Sequence, residues 1–367
     1  MKYIISTCAL LCSLTLHAAQ PVAGKWITDQ QHQTLNDPQS SGLTFRHGEL
    51  IHLSDNSAAP ELRNKLLRIN PHTAQLLAAP IELTVSPALK KSCFAELLHN
   101  NPDWESLDWD RKDDTSFVTV TEDSSKFSLN DECARRYADT YATDYPTLLV
   151  KIKTDKALTK AEIVAVRPVQ FPQSASVGNF PNDGIEGLAF DDNNNLYLAL
   201  EKNMANKPMI FKTPYTQNFW DTEDFVQVTD TELQLPAIDD ENHPLNGMDF
   251  LPSPIKGHPG YLVTAARNDD QLWIFDLSKQ QQPFVQQLNF YAPTDDTGNC
   301  PAYEQMVQTA IEGIAIDGDT VYMVNDPWKQ HYPDNIQCPA NAANFKKFAP
   351  LLFKVLVDPR WFIDKDK

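Results

Sequence analysis

Basic residues are scarce in this chain. Its 31 Lys and Arg face 49 Asp and Glu, which leaves a net charge of −18 at pH 7 with histidine neutral. That balance argues against nucleic acid and against anionic membrane surfaces as partners, and it is compatible with divalent cations. After the N-terminal segment, no apolar run is long enough to span a bilayer. No Cys-x-x-Cys pair occurs, so spacing gives a zinc site no support. The Gly-x-Ser-x-Gly nucleophile elbow and the His-Glu-x-x-His zinc helix are both missing, which removes two common hydrolase designs.

What is present begins with an export signal over residues 1–19. Lys2 supplies the positive end, Ile4 to Leu16 is mostly apolar, and "HAAQ" offers small residues for cleavage after Ala18 or Ala19. The mature chain, 20–367, is therefore expected in a bacterial periplasm or secreted. The full sequence is 42% hydrophobic, enough for a real core. Four cysteines remain after cleavage: Cys93, Cys133, Cys300 and Cys338. An even count in an exported protein suggests disulfides. Three pairings are open. Cys93–Cys133 with Cys300–Cys338 is favoured, because each bridge closes a long inserted loop of roughly forty residues. "RHGE" at Arg46 starts like the phosphatase motif RHGxRxP, but Leu50 and His52 stand in place of its Arg and Pro.

The chain repeats itself. "SGLTF" at Ser41, "ESLDW" at Glu105, "EGLAF" at Glu186, "NGMDF" at Asn246 and "EGIAI" at Glu312 each open a unit. The second runs are "ELIHLSDNS", "SFVTVTEDS", "LYLALEKN", "GYLVTAARND" and "TVYMVNDPW". A third apolar run follows in every unit and a fourth in four of them. Short β-branched and aromatic runs separated by turn residues read as strands. Four strands per unit predict an all-β, single β-propeller of five four-stranded blades, with a sixth, degenerate blade within 85–180 as the alternative. Insertions are expected near 86–145 and 295–345. The last unit lacks a fourth strand, and "GKWITD" from the mature N-terminus is placed to supply it and close the ring; "RWFID" competes for that position. "SCFAELLHN" is read as a short helix in the first insertion.

A glutamate followed at once by glycine is an odd way to open a buried strand. In a propeller the innermost strands line a central channel, and the start of strand one lies beside the end of strand two. The strand starts are Ser41, Glu105, Glu186, Asn246 and Glu312. The strand-two ends are Asp55, Glu122, Glu201, Arg267 and Asp326. Carboxylates converging on an axis repel one another unless they hold protons or a cation. All five strand starts offer oxygen, and an irregular oxygen set suits Ca2+ better than Mg2+, with other divalent cations open. The glycine is expected to let the backbone turn tightly beside the axis. The alternative is a wet channel in which these groups bind water and each other.

"NDGIEGLAF…LYLALE", with "SGL…LSDN" and "IEGIAI…VNDP", resembles the phytase-like, or esterase-like, β-propeller family over about residues 40–330. The Ser/Glu/Glu/Asn/Glu ring is similar to the calcium ring of calcium-activated apyrases, and the Glu-Gly starts to those of gluconolactonase and paraoxonase propellers. The resemblance implies that Ser41, Glu105, Glu186, Asn246 and Glu312 are metal ligands. It implies a metal-dependent hydrolase of esters, lactones or phosphoesters. Asp326 and Glu201 are then the candidate proton acceptors. Arg267 is a candidate for holding an anionic substrate, and His331, beside "PWKQHY", a candidate at the pocket rim. The competing expectation is a non-catalytic propeller that binds a cell-envelope partner around a structural calcium. A single propeller is expected to be a monomer.

Overall fold

The computed structural model describes residues 19–100, 102–122, 124–179, 184–239, 242–295 and 298–362. The expected export signal, 1–19, lies outside the described residues except for Ala19. Five blades are present. Blade one consists of Ser40–Arg46, Glu49–Ser54, Lys65–Ile69 and Ile81–Val85. Blade two follows with Trp104–Trp109, Ser116–Thr121, Leu148–Thr154 and Ala161–Gln170. Ile185–Phe190, Asn195–Leu200, Met209–Pro214 and Thr229–Asp230 form blade three. Blade four is built from Leu245–Leu251, Tyr261–Ala266, Gln271–Asp276 and Phe284–Pro293. Blade five has Ile311–Asp317, Thr320–Asn325 and Leu351–Leu356, and its fourth strand is Lys25–Trp26. The expected closure by "GKWITD" therefore occurs, with Lys25 opposite Leu352 and Trp26 opposite Leu351. "RWFID" does not take that place. Pro359–Trp361 is a 3-10 turn, and Trp361 is buried in the core shared by blades four and five. No sixth blade occurs among the described residues: 85–180 holds blade two and short helical segments.

Each blade packs face to face with its neighbours, so its middle strands are covered on both sides. Ser116–Thr121 is buried throughout, and so is Asn195–Leu200 after its first residue. That is why these runs read as continuous apolar stretches. The outer strand Ile81–Val85 has a solvent face and alternates, as does Phe284–Pro293. Large aromatic side chains fill the seams: Trp104, Trp273, Phe117 and Tyr332 are almost wholly buried. Truncating such a ring typically costs roughly 3–5 kcal/mol.

The inner strands stand side by side in chain order, and the fifth returns to lie beside the first. Every one of them carries a register shift at its start. The shifts fall at Ser40/Gly42, Glu105/Leu107, Ile185/Gly187, Asn246/Met248 and Ile311/Gly313. A β-bulge re-aims the local side chain, which is how a strand opening can present a carboxylate to the axis. The glycines have a second reason. A Cβ on Gly247 would lie 2.2 Å from the Glu312 carbonyl oxygen, and one on Gly313 2.6 Å from Val324 Cγ1 of its own blade and 2.8 Å from Leu43 Cβ of blade one. The shared constraint is thus close approach between neighbouring inner strands. Only at Gly247, with φ 58°, does the backbone itself also demand glycine. Blade two has Ser106 there instead, at φ 48°, and its Oγ accepts a hydrogen bond from Leu188 N at 2.7 Å, stitching blade two to blade three.

Two disulfides brace the loops. Cys93 pairs with Cys133 and Cys300 with Cys338, the favoured pairing. The first ties the segment around helix Ala95–His99 to helix Asp131–Arg136.

Candidate metal centre

At one mouth of the channel lies a cavity of about 320 Å³. Among the described residues, eight carboxylates line it, against a single arginine. Three come from strand starts, Glu105, Glu186 and Glu312. Four come from strand-two ends, Asp55, Glu122, Glu201 and Asp326, and the eighth is Asp103. Ser41 also lines the cavity, beside Gln39 and Trp328. Asn246 completes the inner ring from beneath. It is fully buried, and its Nδ2 donates to Glu312 Oε2 at 2.8 Å and to Glu186 Oε2 at 3.2 Å. The two polar rings read from the repeat are therefore brought together.

Within this set, two groups of three are tightest. Oxygens of Asp103, Glu105 and Glu122 lie within 4.8 Å of one another, and so do oxygens of Glu122, Glu186 and Glu201. Glu122 belongs to both. Oxygens that share a calcium ion at about 2.4 Å can be no more than about 4.8 Å apart, so both groups satisfy the geometric limit. The donors are all oxygen, which suits a hard cation. One further observation points the same way: Asn246 Oδ1 is buried and has no hydrogen-bond partner.

Burial and crowding act on these acids in one direction. Glu105 and Glu186 are pushed well above the usual carboxylate range, by desolvation first and by neighbouring carboxylates second. Glu122 is raised to about 8 by burial, although its bond with Glu186 and the Gly184 N–H at 2.8 Å oppose the shift. Asp55 reaches about 7, through burial and then the charge of Asp103. Asp326 is raised well above its ordinary value by burial and by Asp55 and Glu312. Without a cation this mouth holds protons instead.

Arg267 is the local counter-charge. It donates to Glu201 Oε1 at 3.2 Å and to Glu312 Oε1. Burial raises the Glu312 carboxyl even so, with Arg267 pulling it down. His331 does not line the cavity. Its ring sits 4.4 Å edge-on from that of Trp328, and its Nδ1 faces Asp334 at 3.4 Å. Trp328 is the rim residue, about half exposed at 51%. Lys329 fixes this loop by donating to Asp37 and to the Ser57 carbonyl. His243 is bracketed by Asp239 and Asp269, both at 2.9 Å, away from the cavity lining. Asp103 was not singled out by sequence reasoning. It precedes the repeat start by two residues, in "NPDWE", and no other unit has an acid there.

No protein-family model and no curated protein sequence matches the chain. Among solved structures, the major allergen Mala s 1 of Malassezia sympodialis is similar at 9% identity, over 88% of this chain and 94% of that one, with a TM-score of 0.47. The PQQ-bound aldose sugar dehydrogenase of Streptomyces coelicolor is similar at 10% identity, over 88% and 96%, with a TM-score of 0.36. A streptogramin B lyase is similar at 10% identity, over 88% and 95%, also with a TM-score of 0.36. Likeness at this level assigns neither family nor activity to the chain.

Proposed function

We propose that the channel mouth holds a hard divalent cation, calcium first, and that the protein is an exported, monomeric, metal-dependent hydrolase of esters, lactones or phosphoesters. The observation that carries the cation is the pair of carboxylate triads joined at Glu122. Asp103, Glu105 and Glu122 would hold it, with Glu186 beside them, Ser41 and Asn246 next in the ring, and Glu312 engaged by Arg267 and Asn246 instead. When bound, such a cation polarises a carbonyl or phosphoryl oxygen or lowers the pKa of a bound water. Asp326 and Glu201 are the proposed proton acceptors. Both line the cavity, and Asp326 Oδ1 has no hydrogen-bond partner. Arg267 would meet an anionic group of the substrate, and Trp328 would wall the entrance, with His331 supporting its ring from behind. The likeness of the EGL and EGI units to esterase-like propellers supports the reaction class. The two disulfides are compatible with an oxidising, exported setting.

A second reading is favoured by one feature. The Glu201–Arg267–Glu312–Asn246 chain is a hydrogen-bonded network that links blades three, four and five. On that reading the calcium is structural and the protein binds an envelope partner without turnover. A panel of lactones, aryl esters and phosphoesters, assayed with calcium and with EDTA, separates the two. Calcium-dependent turnover that Glu105→Gln abolishes supports the hydrolase. Stoichiometric calcium without turnover of any class supports the binding protein.

A further inference from the structure

Four of the five strand-two ends at the mouth are acids; blade four alone contributes a cation, Arg267. Its guanidinium engages Glu201 of blade three and Glu312 of blade five. The other oxygen of Glu312 is held by Asn246 Nδ2, so both Glu312 oxygens are occupied. On the blade-two side, oxygens of Asp103, Glu105 and Glu122 lie within 4.8 Å of one another, and among the described residues no Lys or second Arg lines the cavity. Arg267 thus places its charge on the Glu201 and Glu312 side of the ring. Asn246 is bonded to Glu186 and Glu312, with its buried Oδ1 unpartnered.

We propose that Arg267 is a built-in counterion occupying the place of a second cation, so that the mouth binds one divalent ion, on the blade-two side, instead of two. The proposal rests on the reading of the mouth as a cation site. A guanidinium presents several donors in a fixed fork and carries its charge at any working pH, so it can satisfy two carboxylates at once. Being tethered to blade four, it is present whether or not metal is available. Removing it would leave Glu201 and Glu312 buried and uncompensated, a strongly unfavourable state. Glu201 also stands in the triad with Glu122 and Glu186, whose oxygens lie within 4.8 Å of one another, and an oxygen-only set of that kind is the chemistry that recruits calcium.

The test is calcium titration by calorimetry, with elemental analysis of bound metal, on chelator-stripped wild-type protein and on Arg267→Gln and Arg267→Lys. One calcium is expected in the wild type, two in Arg267→Gln, and one in Arg267→Lys, where an ammonium keeps the charge. Arg267→Gln that binds one calcium with wild-type affinity overturns the proposal. Should that variant fail to fold, Glu312→Gln keeps the question open to test. Its oxygens are already taken, so it should retain calcium with little change in affinity, whereas Glu105→Gln should lose about 100-fold. Loss in Glu312→Gln as large as in Glu105→Gln overturns the proposal. A wild-type protein that binds no calcium at all removes the cation reading itself, and the inference falls with it.

Discussion

Glu122 is the residue on which the site turns, because it is the one carboxylate common to both triads. Glu122→Gln keeps the side-chain shape and removes its charge. It should cost at least about 10–100-fold in cation affinity, read by calorimetry. An unchanged affinity would place the ion elsewhere. A second residue makes a prediction about acid. His52 is fully buried in blade one, with neither ring nitrogen hydrogen-bonded, and desolvation lowers its pKa from 6.5 to about 3. Between those two values the unfolded chain takes up a proton that the folded chain refuses. Stability therefore falls as pH drops through that window, by about 1.4 kcal/mol per pH unit from this residue. His52→Leu should flatten that part of the stability–pH curve in denaturant titrations at pH 4 to 7, relative to wild type. Parallel curves would contradict the assignment.

At the scale of elements, the inner strands depend on close backbone approach. Gly247→Ala places a methyl 2.2 Å from the Glu312 carbonyl oxygen at a residue with φ 58°. Both effects destabilise, and together they should cost on the order of 2–4 kcal/mol, read as a lower denaturation midpoint. They should also disturb the Glu312 end of the ring. Gly48, also at positive φ but with open space around its Cβ position, is the control and should be milder. The strands themselves were legible because their signal is local. "LYLAL" and "TVYMV" are runs that must be buried on both faces, and turn residues bound them. Closure by Lys25–Trp26 was legible by counting strands per unit. The parallel pairing of Gln20–Ala23 with Phe284–Pro293 was not, since only Val22 of that strand is buried and its partner lies far along the chain. The glycines were recognised, but their reason was misassigned at Gly42, Gly187 and Gly313. What those positions exclude is a Cβ against the next inner strand, and at Gly187 and Gly313 also against the second strand of their own blade, close contacts that appear only once the blades are packed.

At the scale of the molecule, the repeat made the two polar rings legible, because it fixes which residue of each blade faces the axis. It could not rank them. Which oxygens come within one coordination shell depends on the bulges and on side-chain direction. Glu122 of the second ring therefore belongs to both triads and the non-repeating Asp103 to one, while Glu312, bonded to Arg267, belongs to neither. The whole ring also sets how stability responds to pH. Asp55 and Glu122 keep their protons to about 7 and about 8 in the metal-free fold, whereas the unfolded chain releases them near pH 4. The folded state therefore binds more protons across that interval, and the metal-free protein should lose stability as pH rises from about 4 to 8. A bound cation replaces those protons, so its stabilising effect should grow over the same interval.

The most direct measurement is a thermal melt of the chelator-stripped mature protein at pH 5 and pH 8, alone and with calcium, magnesium or manganese. Occupancy at a hundred times the dissociation constant adds about 2.7 kcal/mol, enough to raise the melting temperature by several degrees. A rise with calcium that is larger at pH 8 than at pH 5 is the predicted result. An identical melting temperature with and without every metal, in protein that elemental analysis shows to carry none from purification, would contradict the cation site and leave a protonated, water-filled channel.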